Sequence, residues 1–158
     1  DGIDGLAITE VIKIIVVFEF FSNGLSAIAP LGLLVVTSII PLYYFNYKKK
    51  RNVFIGDGGS MLLGTLSMVY VLYALSNSYN FKPELIINKT LFVVFALLYP
   101  LFDLLRVFVL RIKEGDSPFV ADKRHIHHNL LQIFKSSLLV TFIILIFELG
   151  MILFAINI

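Results

Sequence analysis

The sequence predicts an all-α, multi-pass integral membrane protein with about five transmembrane helices, arranged as a single membrane domain over residues 1–158. Three observations carry that expectation. Hydrophobic residues make up 58% of the chain and charged residues only 15%, against roughly 45–50% and about 25% in soluble domains, and the mean hydropathy is +0.90. Several apolar runs approach the roughly 20 residues that a helix rising about 1.5 Å per residue needs to cross about 30 Å of hydrocarbon. Most of the Lys and Arg residues fall between those runs, where they set the orientation of a membrane protein.

The runs predict helices over residues 6–22, 25–45, 60–76, 91–110 and 138–156, with loops over 46–59 and 111–137. The first carries Glu10, Lys13 and Glu19 and is the weakest apolar segment; Glu10 and Lys13 are spaced to pair along one helix face. The second holds no charged side chain and contains Pro30 and Pro41, which membrane helices tolerate better than soluble ones. The fourth contains Asp103 and Arg106, spaced to form an ion pair of their own. Glu19 and Glu148 have no evident partner, and polar helix packing is the expectation for each. Most Phe and Tyr residues are expected to face lipid or to form an interfacial belt, for which Tyr43, Tyr44 and Tyr47 are well placed.

Lys48, Lys49, Lys50 and Arg51 lie in one loop, and Arg111, Lys113, Lys123, Arg124 and Lys135 in another, whereas the loop before the fourth helix has only Lys82 and Lys89. The excess of positive charge assigns the two richer loops to the cytoplasm. Two crossings separate them, as that assignment requires. A spanning first helix would put the N-terminal turn on the same side.

Cysteine is absent, so there is neither a disulfide framework nor a thiolate metal site. A net charge of +2 with the basic residues confined to loops gives no sign of nucleic acid as a partner; membrane lipid is the expected surroundings, and a homodimer is compatible with the sequence. The chain opens in a Gly/Asp turn with neither Met nor a leader-like segment, so it is expected to be the C-terminal part of a longer protein.

Three polar clusters interrupt the apolar sequence, and helix counting puts all of them on the cytoplasmic face. In Gly56-Asp57-Gly58-Gly59-Ser60 a carboxylate sits among glycines at the mouth of a helix expected to begin near Ser60. Glycines allow close approach of backbone, a helix N-terminus favours anions, and an aspartate there suits Mg2+ shared with substrate phosphates; simple capping by Asp57 and Ser60 accounts for the same residues. Arg124-His125-Ile126-His127-His128 holds every histidine of the chain. Imidazoles beside Lys123 and Arg124 suit an anionic ligand, acid–base work or, less well without thiols or a His-Glu-x-x-His pattern, zinc. Asp1 and Asp4 flank Gly2 and can converge on a cation or a polar headgroup, or form a solvated turn.

Together, Asp1-Gly2-Ile3-Asp4-Gly5-Leu6-Ala7, Phe54-Ile55-Gly56-Asp57-Gly58-Gly59-Ser60, and Ser117-Pro118-Phe119 followed by Asp122, Arg124 and His125-Ile126-His127-His128 resemble the polyprenyl-phosphate N-acetylhexosamine-1-phosphate transferases in order and spacing. The His-x-His-His form is closer to the WecA-like branch than to the muramoyl-pentapeptide branch. The resemblance implies an enzyme that moves a sugar 1-phosphate from a UDP-N-acetylhexosamine to polyprenyl phosphate, releases UMP and uses Mg2+, in the bacterial inner membrane with its site on the cytoplasmic face. It implies Asp1, Asp4 and Asp57 as the catalytic carboxylates, Asp57 also holding the metal. Arg124, His125, His127, His128 and Ser60 would contact the substrates. The family's earlier aspartate-rich motif and the Asn-containing stretch before the Asp/Gly turn are absent from this chain, which implies that these residues alone would be inactive. Two other readings remain: a transporter or channel using Asp103, Glu19 and Glu148, and a zinc hydrolase using the histidines.

Overall fold

The computed structural model describes residues 3–47, 53, 55–117 and 124–156. Among them the helices are α1 (Leu6–Phe21), α2 (Ala29–Asn46), α3 (Gly56–Leu75), α4 (Lys89–Ala96), α5 (Leu98–Glu114), α6 (Ile126–Phe134) and α7 (Ser137–Ile156). The all-α expectation holds, and the chain is a helical membrane protein. Helices α2, α3 and α7 are long and apolar enough to cross a bilayer, and the bent pair α4 and α5 adds a fourth span if counted as one. The expected five crossings become three or four.

The difference lies in α1. Its 16 residues extend about 24 Å, less than the hydrocarbon thickness. The helix packs against α2, α3 and α7 and is exposed only at Val16 and Phe20. Its charged residues therefore face protein. Lys13 Nζ lies 2.6 Å from Glu10 Oε2 and 2.7 Å from Glu148 Oε1 of α7, and the Lys13 and Glu148 side chains are both 0% exposed. Glu19 accepts from the Ser26 hydroxyl at 2.6 Å and from the Tyr70 hydroxyl at 3.3 Å. Ser26 lies beyond the end of α1 and Tyr70 in another helix, so neither shares the helix spacing that would have made a partner for Glu19 evident.

At the far end of α1 an aromatic cluster forms the centre of the core. Phe18 meets Tyr70 at 6.3 Å, Tyr79 at 6.2 Å and Phe92 at 5.2 Å between ring centroids, and all four side chains are buried. These rings depart from the expected lipid-facing role. The Tyr79 hydroxyl donates to the Phe18 carbonyl at 2.7 Å, using up the polar tip that burial would otherwise leave unpaired. In α2 a Cβ on Gly32 would collide with the Tyr70 hydroxyl and lie 2.9 Å from Ile15, so the absence of a side chain is what lets α2 approach α1 and α3.

The expected helix over 91–110 is broken. Asn88 caps α4 by accepting from the Thr90 N–H at 2.8 Å, the helix ends after Ala96, and α5 leaves at 70°. Pro100 accounts for the break: it has no N–H to give the Ala96 carbonyl, and its ring would clash with that carbonyl in a continuous helix. The orphan N–H of Tyr99, in the first turn of α5, donates to Glu148 Oε1 at 3.2 Å. The expected loop over 111–137 also changes, because α5 runs on to Glu114 and α6 forms within it. Ile126, Leu130 and Leu131 of α6 pack on a second core of Ile3, Leu6, Tyr99, Val140 and Ile144, at spacings that place them on one helix face.

Removing Lys13 would strand the buried carboxylate of Glu148 and the partly buried one of Glu10, a loss of about 3–5 kcal/mol. Lys13→Met should therefore lower the thermal midpoint in detergent strongly, and adding Glu148→Gln should recover part of the loss. A midpoint within a degree or two of the parent for Lys13→Met would contradict the central role of this cluster.

Candidate active site at one end of the bundle

Gly5 sits just before α1 with φ 80°, a left-handed conformation that favours glycine. A Cβ there would also strike the Tyr47 ring, at 2.5 Å from its nearest carbon atoms. The Asp4 turn is thus locked against the C-terminus of α2. The contact has an electrostatic signature: burial pushes the Tyr47 hydroxyl up to about 12, and the Asp4 carboxylate adds to the rise. The Tyr47 hydroxyl also reaches Thr141 Oγ1 at 3.4 Å, near the start of α7. Asp1 lies outside the described residues, and so do residues 118–123, with Asp122 and Lys123 of the sequence motif.

Asn46, at the end of α2, donates through its side-chain amide to the Val53 carbonyl at 2.9 Å, which holds the entry to α3 at the same end. Helix α3 starts at Gly56, four residues before the expected start, so the glycine run is its first turn. Asp57 is exposed in that turn, and the N-cap residue Ile55 makes no side-chain cap, so among the described residues the first N–H groups of the helix are open to an anion. Ser60 is not a cap. Its hydroxyl donates back to the carbonyls of Gly56 at 3.1 Å and Asp57 at 3.0 Å.

The histidines, expected in a loop, begin α6. His125 is the N-cap residue with an extended backbone. The rings cluster, with His125 and His127 stacked at 5.3 Å and 11°, and His127 and His128 at 4.5 Å. His125 Nδ1 lies 2.8 Å from Asp103 Oδ2, the Ile126 N–H donates to Asp103 Oδ1 at 2.8 Å, and His127 Nδ1 lies 2.9 Å from the Tyr99 hydroxyl. The expected Asp103–Arg106 pair is present only at 3.9 Å; Arg106 instead donates to the Arg124 carbonyl at 2.8 Å. Arg124 binds Asp116 Oδ2 at 2.8 Å and also pairs with Glu114, so the end of α5 engages its guanidinium.

Sequence reading missed Tyr99 and the partnership of Asp103 with the histidines. The available signal was spacing, since residues 99 and 103 are four apart and face the same way on a helix. The apolar repeat at Ile126, Leu130 and Leu131 pointed to α6. Ile3 and Leu6 share a core with Tyr99, Ile126 and Leu130, which brings the Asp4 turn and the histidine helix side by side. The transporter reading loses its free acids, because Glu19, Glu148 and Asp103 all have close partners. Among the described residues no three His, Asp or Glu side chains are grouped to hold a metal ion.

Burial, reinforced by the neighbouring imidazoles of His128 and His125, lowers His127 to about 4. Its Nε2 is buried without a hydrogen-bond partner. The ring is therefore neutral at pH 7. Between about pH 6.5 and pH 4 the unfolded chain takes up a proton that the folded one refuses, so stability falls as pH falls through that window. The loss from this residue between pH 7 and pH 5 is about 2 kcal/mol. Thermal midpoints at the two pH values should differ less in His127→Gln than in the parent; an equal difference would refute the assignment.

Residues 1–75 match the model of glycosyl transferase family 4. The chain is 31% identical over 148 residues to a decaprenyl-phosphate N-acetylglucosaminephosphotransferase of Mycobacterium leprae, covering 84% of this chain and 37% of that protein. It is 30% identical over 159 residues to the protein of the same name from Mycobacterium tuberculosis, covering 91% and 39%. With an undecaprenyl-phosphate alpha-N-acetylglucosaminyl 1-phosphate transferase of Escherichia coli it shares 28% identity over 137 residues, covering 84% and 36%. The chain thus spans somewhat over a third of the length of these curated relatives. No solved structure matches it. The matched segment carries the Asp4 turn locked on Tyr47 and the first turn of α3, and in that match and these relatives the chain is similar to glycosyl transferase family 4.

Proposed function

We propose that this chain is part of an enzyme that transfers N-acetylglucosamine 1-phosphate from its UDP-sugar to a polyprenyl phosphate, releasing UMP. The observation that carries the reading is the collection of an acidic turn, an uncapped glycine-rich helix start and a histidine cluster at one end of an otherwise apolar bundle. A soluble anionic donor and a lipid phosphate can meet only at such an end, where polar groups border the hydrocarbon. The relatives named above are named for this transfer to decaprenyl or undecaprenyl phosphate. With the positive-inside bias of the loops, the reading puts the site on the cytoplasmic face of a bacterial inner membrane, at the first membrane step of envelope polysaccharide synthesis.

In the reaction an oxygen of the lipid phosphate forms a bond to the sugar-bearing phosphorus of the donor, and the bond from that phosphorus to UMP breaks. Such transfer depends on alignment and on neutralising charge. The open N–H groups of α3 would bind phosphate oxygens, and the glycines there let a ligand come close to the backbone. His125 and His128 would contact the donor's diphosphate or sugar, with Arg124 tying the start of α6 to the end of α5. Neutral His127 would act through its hydrogen bond with Tyr99, as a donor or acceptor of fixed charge.

Mg2+ fits the donor set at α3. A magnesium ion bound through one or two carboxylates and substrate phosphates needs no cage of protein ligands, and Asp57 is an exposed carboxylate in a turn that also favours phosphate. Asp57 would hold the ion, with Asp1 and Asp4 serving the nucleotide-sugar region. When bound, Mg2+ supplies positive charge against the diphosphate.

The test is transfer by the complete protein that contains this chain, supplied with UDP-N-acetylglucosamine, polyprenyl phosphate and Mg2+. Asp57→Ala should lower the rate by about 100-fold or more, while residues 1–158 alone should release no UMP. Lack of Mg2+-dependent transfer from every UDP-N-acetylhexosamine tried would overturn the reading.

A further inference from the structure

We propose that Asp103 is a positioning residue of the transfer site: it sets the tautomer and rotation of His125 and fixes the start of α6, leaving the second nitrogen of His125 for a phosphate-bearing ligand. The proposal rests on the function proposed above and adds a residue outside all three polar clusters of the sequence.

One carboxylate acts on two adjacent residues. Oδ2 lies 2.8 Å from His125 Nδ1 while Oδ1 accepts from the Ile126 N–H at 2.8 Å, so both the ring of His125 and the backbone that follows it are held from α5. Helix α6 has no cap from its own N-cap side chain; Asp103 supplies that function from another helix, where a carboxylate also favours the helix dipole. The Asp103 side chain is 6% exposed, so water competes little for its oxygens. Its other neighbours are Arg106 at 3.9 Å and His127 Nδ1 at 3.8 Å, and His127 is turned to the Tyr99 hydroxyl.

The chemistry follows from the ring. A carboxylate at Nδ1 requires a proton there, so Nε2 is either a lone-pair acceptor or, in the imidazolium, a second donor. Among the described residues Nε2 of His125 has no hydrogen-bond partner. In both protonation states that nitrogen remains available, and its donor form is the one that can bond to a phosphate oxygen. Asp103 itself touches no substrate in this scheme.

The test uses the complete protein with uniformly [15N]His-labelled side chains. His125, assigned by His125→Gln, should show the Nδ1–H tautomer or the imidazolium in the parent, and Asp103→Asn, which still accepts from Ile126, should convert it to a mixture. In transfer assays Asp103→Asn should lower kcat about 10–100-fold, with a thermal midpoint within a few degrees of the parent. The Asp103→Asn/His125→Gln double variant should be no slower than His125→Gln alone, since both changes remove one interaction. Multiplying effects in the double variant, or an Nε2–H tautomer in the parent, would overturn the proposal. The parent spectrum decides the matter even if Asp103→Asn does not fold. Absence of transfer by the parent would instead refute the functional reading, and leave the tautomer measurement to judge Asp103 by itself.

Discussion

A fully buried carboxylate in an apolar helix must find its compensation within the protein, and the way Glu148 finds it decides how α1, α5 and α7 meet. Its Oε1 takes both the ammonium of Lys13 and the backbone N–H of Tyr99. In a low-dielectric interior, losing either partner exposes the full desolvation penalty of the others. The cluster therefore acts as a geometric constraint: α1 can slide neither along α7 nor away from the start of α5 without breaking a charge-assisted contact. Replacement of the whole cluster by apolar side chains would pack equally well in principle, but nothing would then hold the three helices in one axial register.

That register reaches the histidines through the bend. Pro100 forces α5 to begin anew, and the new helix carries Tyr99 and Asp103 on one face, four residues apart. Tyr99 meets His127 and Asp103 meets His125. A polar path thus runs from Lys13 in the core, through the backbone of Tyr99, to the imidazoles at the end of the bundle. On the other flank, the Gly5–Tyr47 contact and the Tyr47–Thr141 hydrogen bond tie the acidic turn to α2 and α7. The site is held from both sides by contacts that leave little freedom of rotation.

Much of this was legible in the sequence, and what was missed follows one pattern. Long apolar runs without charges, as in α2, α3 and α7, carry their own signal because lipid demands it. The polar clusters were visible because charge and glycine stand out against an apolar background. Asp103 was misjudged because a carboxylate three residues before an arginine offers a ready local partner, whereas its closer contacts come from His125 and Ile126, more than twenty positions away. Glu148 was left without a partner because Lys13 reaches it from α1, at the other end of the chain. Helix α1 passed for a spanning segment because its apolar content is high in spite of three charges; only packing reveals that the apolar surface faces protein. Pro100 was a local signal for the bend that went unread in the apolar run over 91–110, whereas Pro41 shows that a membrane helix can keep a proline inside it.

The sheathing of α1 separates two kinds of mechanical load. Bilayers differ in thickness, and a spanning helix answers a mismatch by tilting. Exposed apolar side chains on α2, α3 and α7 present those helices to lipid, so they feel such changes directly. Helix α1 is too short to span and is largely exposed only at Val16 and Phe20. The acidic turn at its head is consequently anchored to protein depth instead of membrane depth, and can keep its place beside the histidines when the thickness of the surrounding lipid varies.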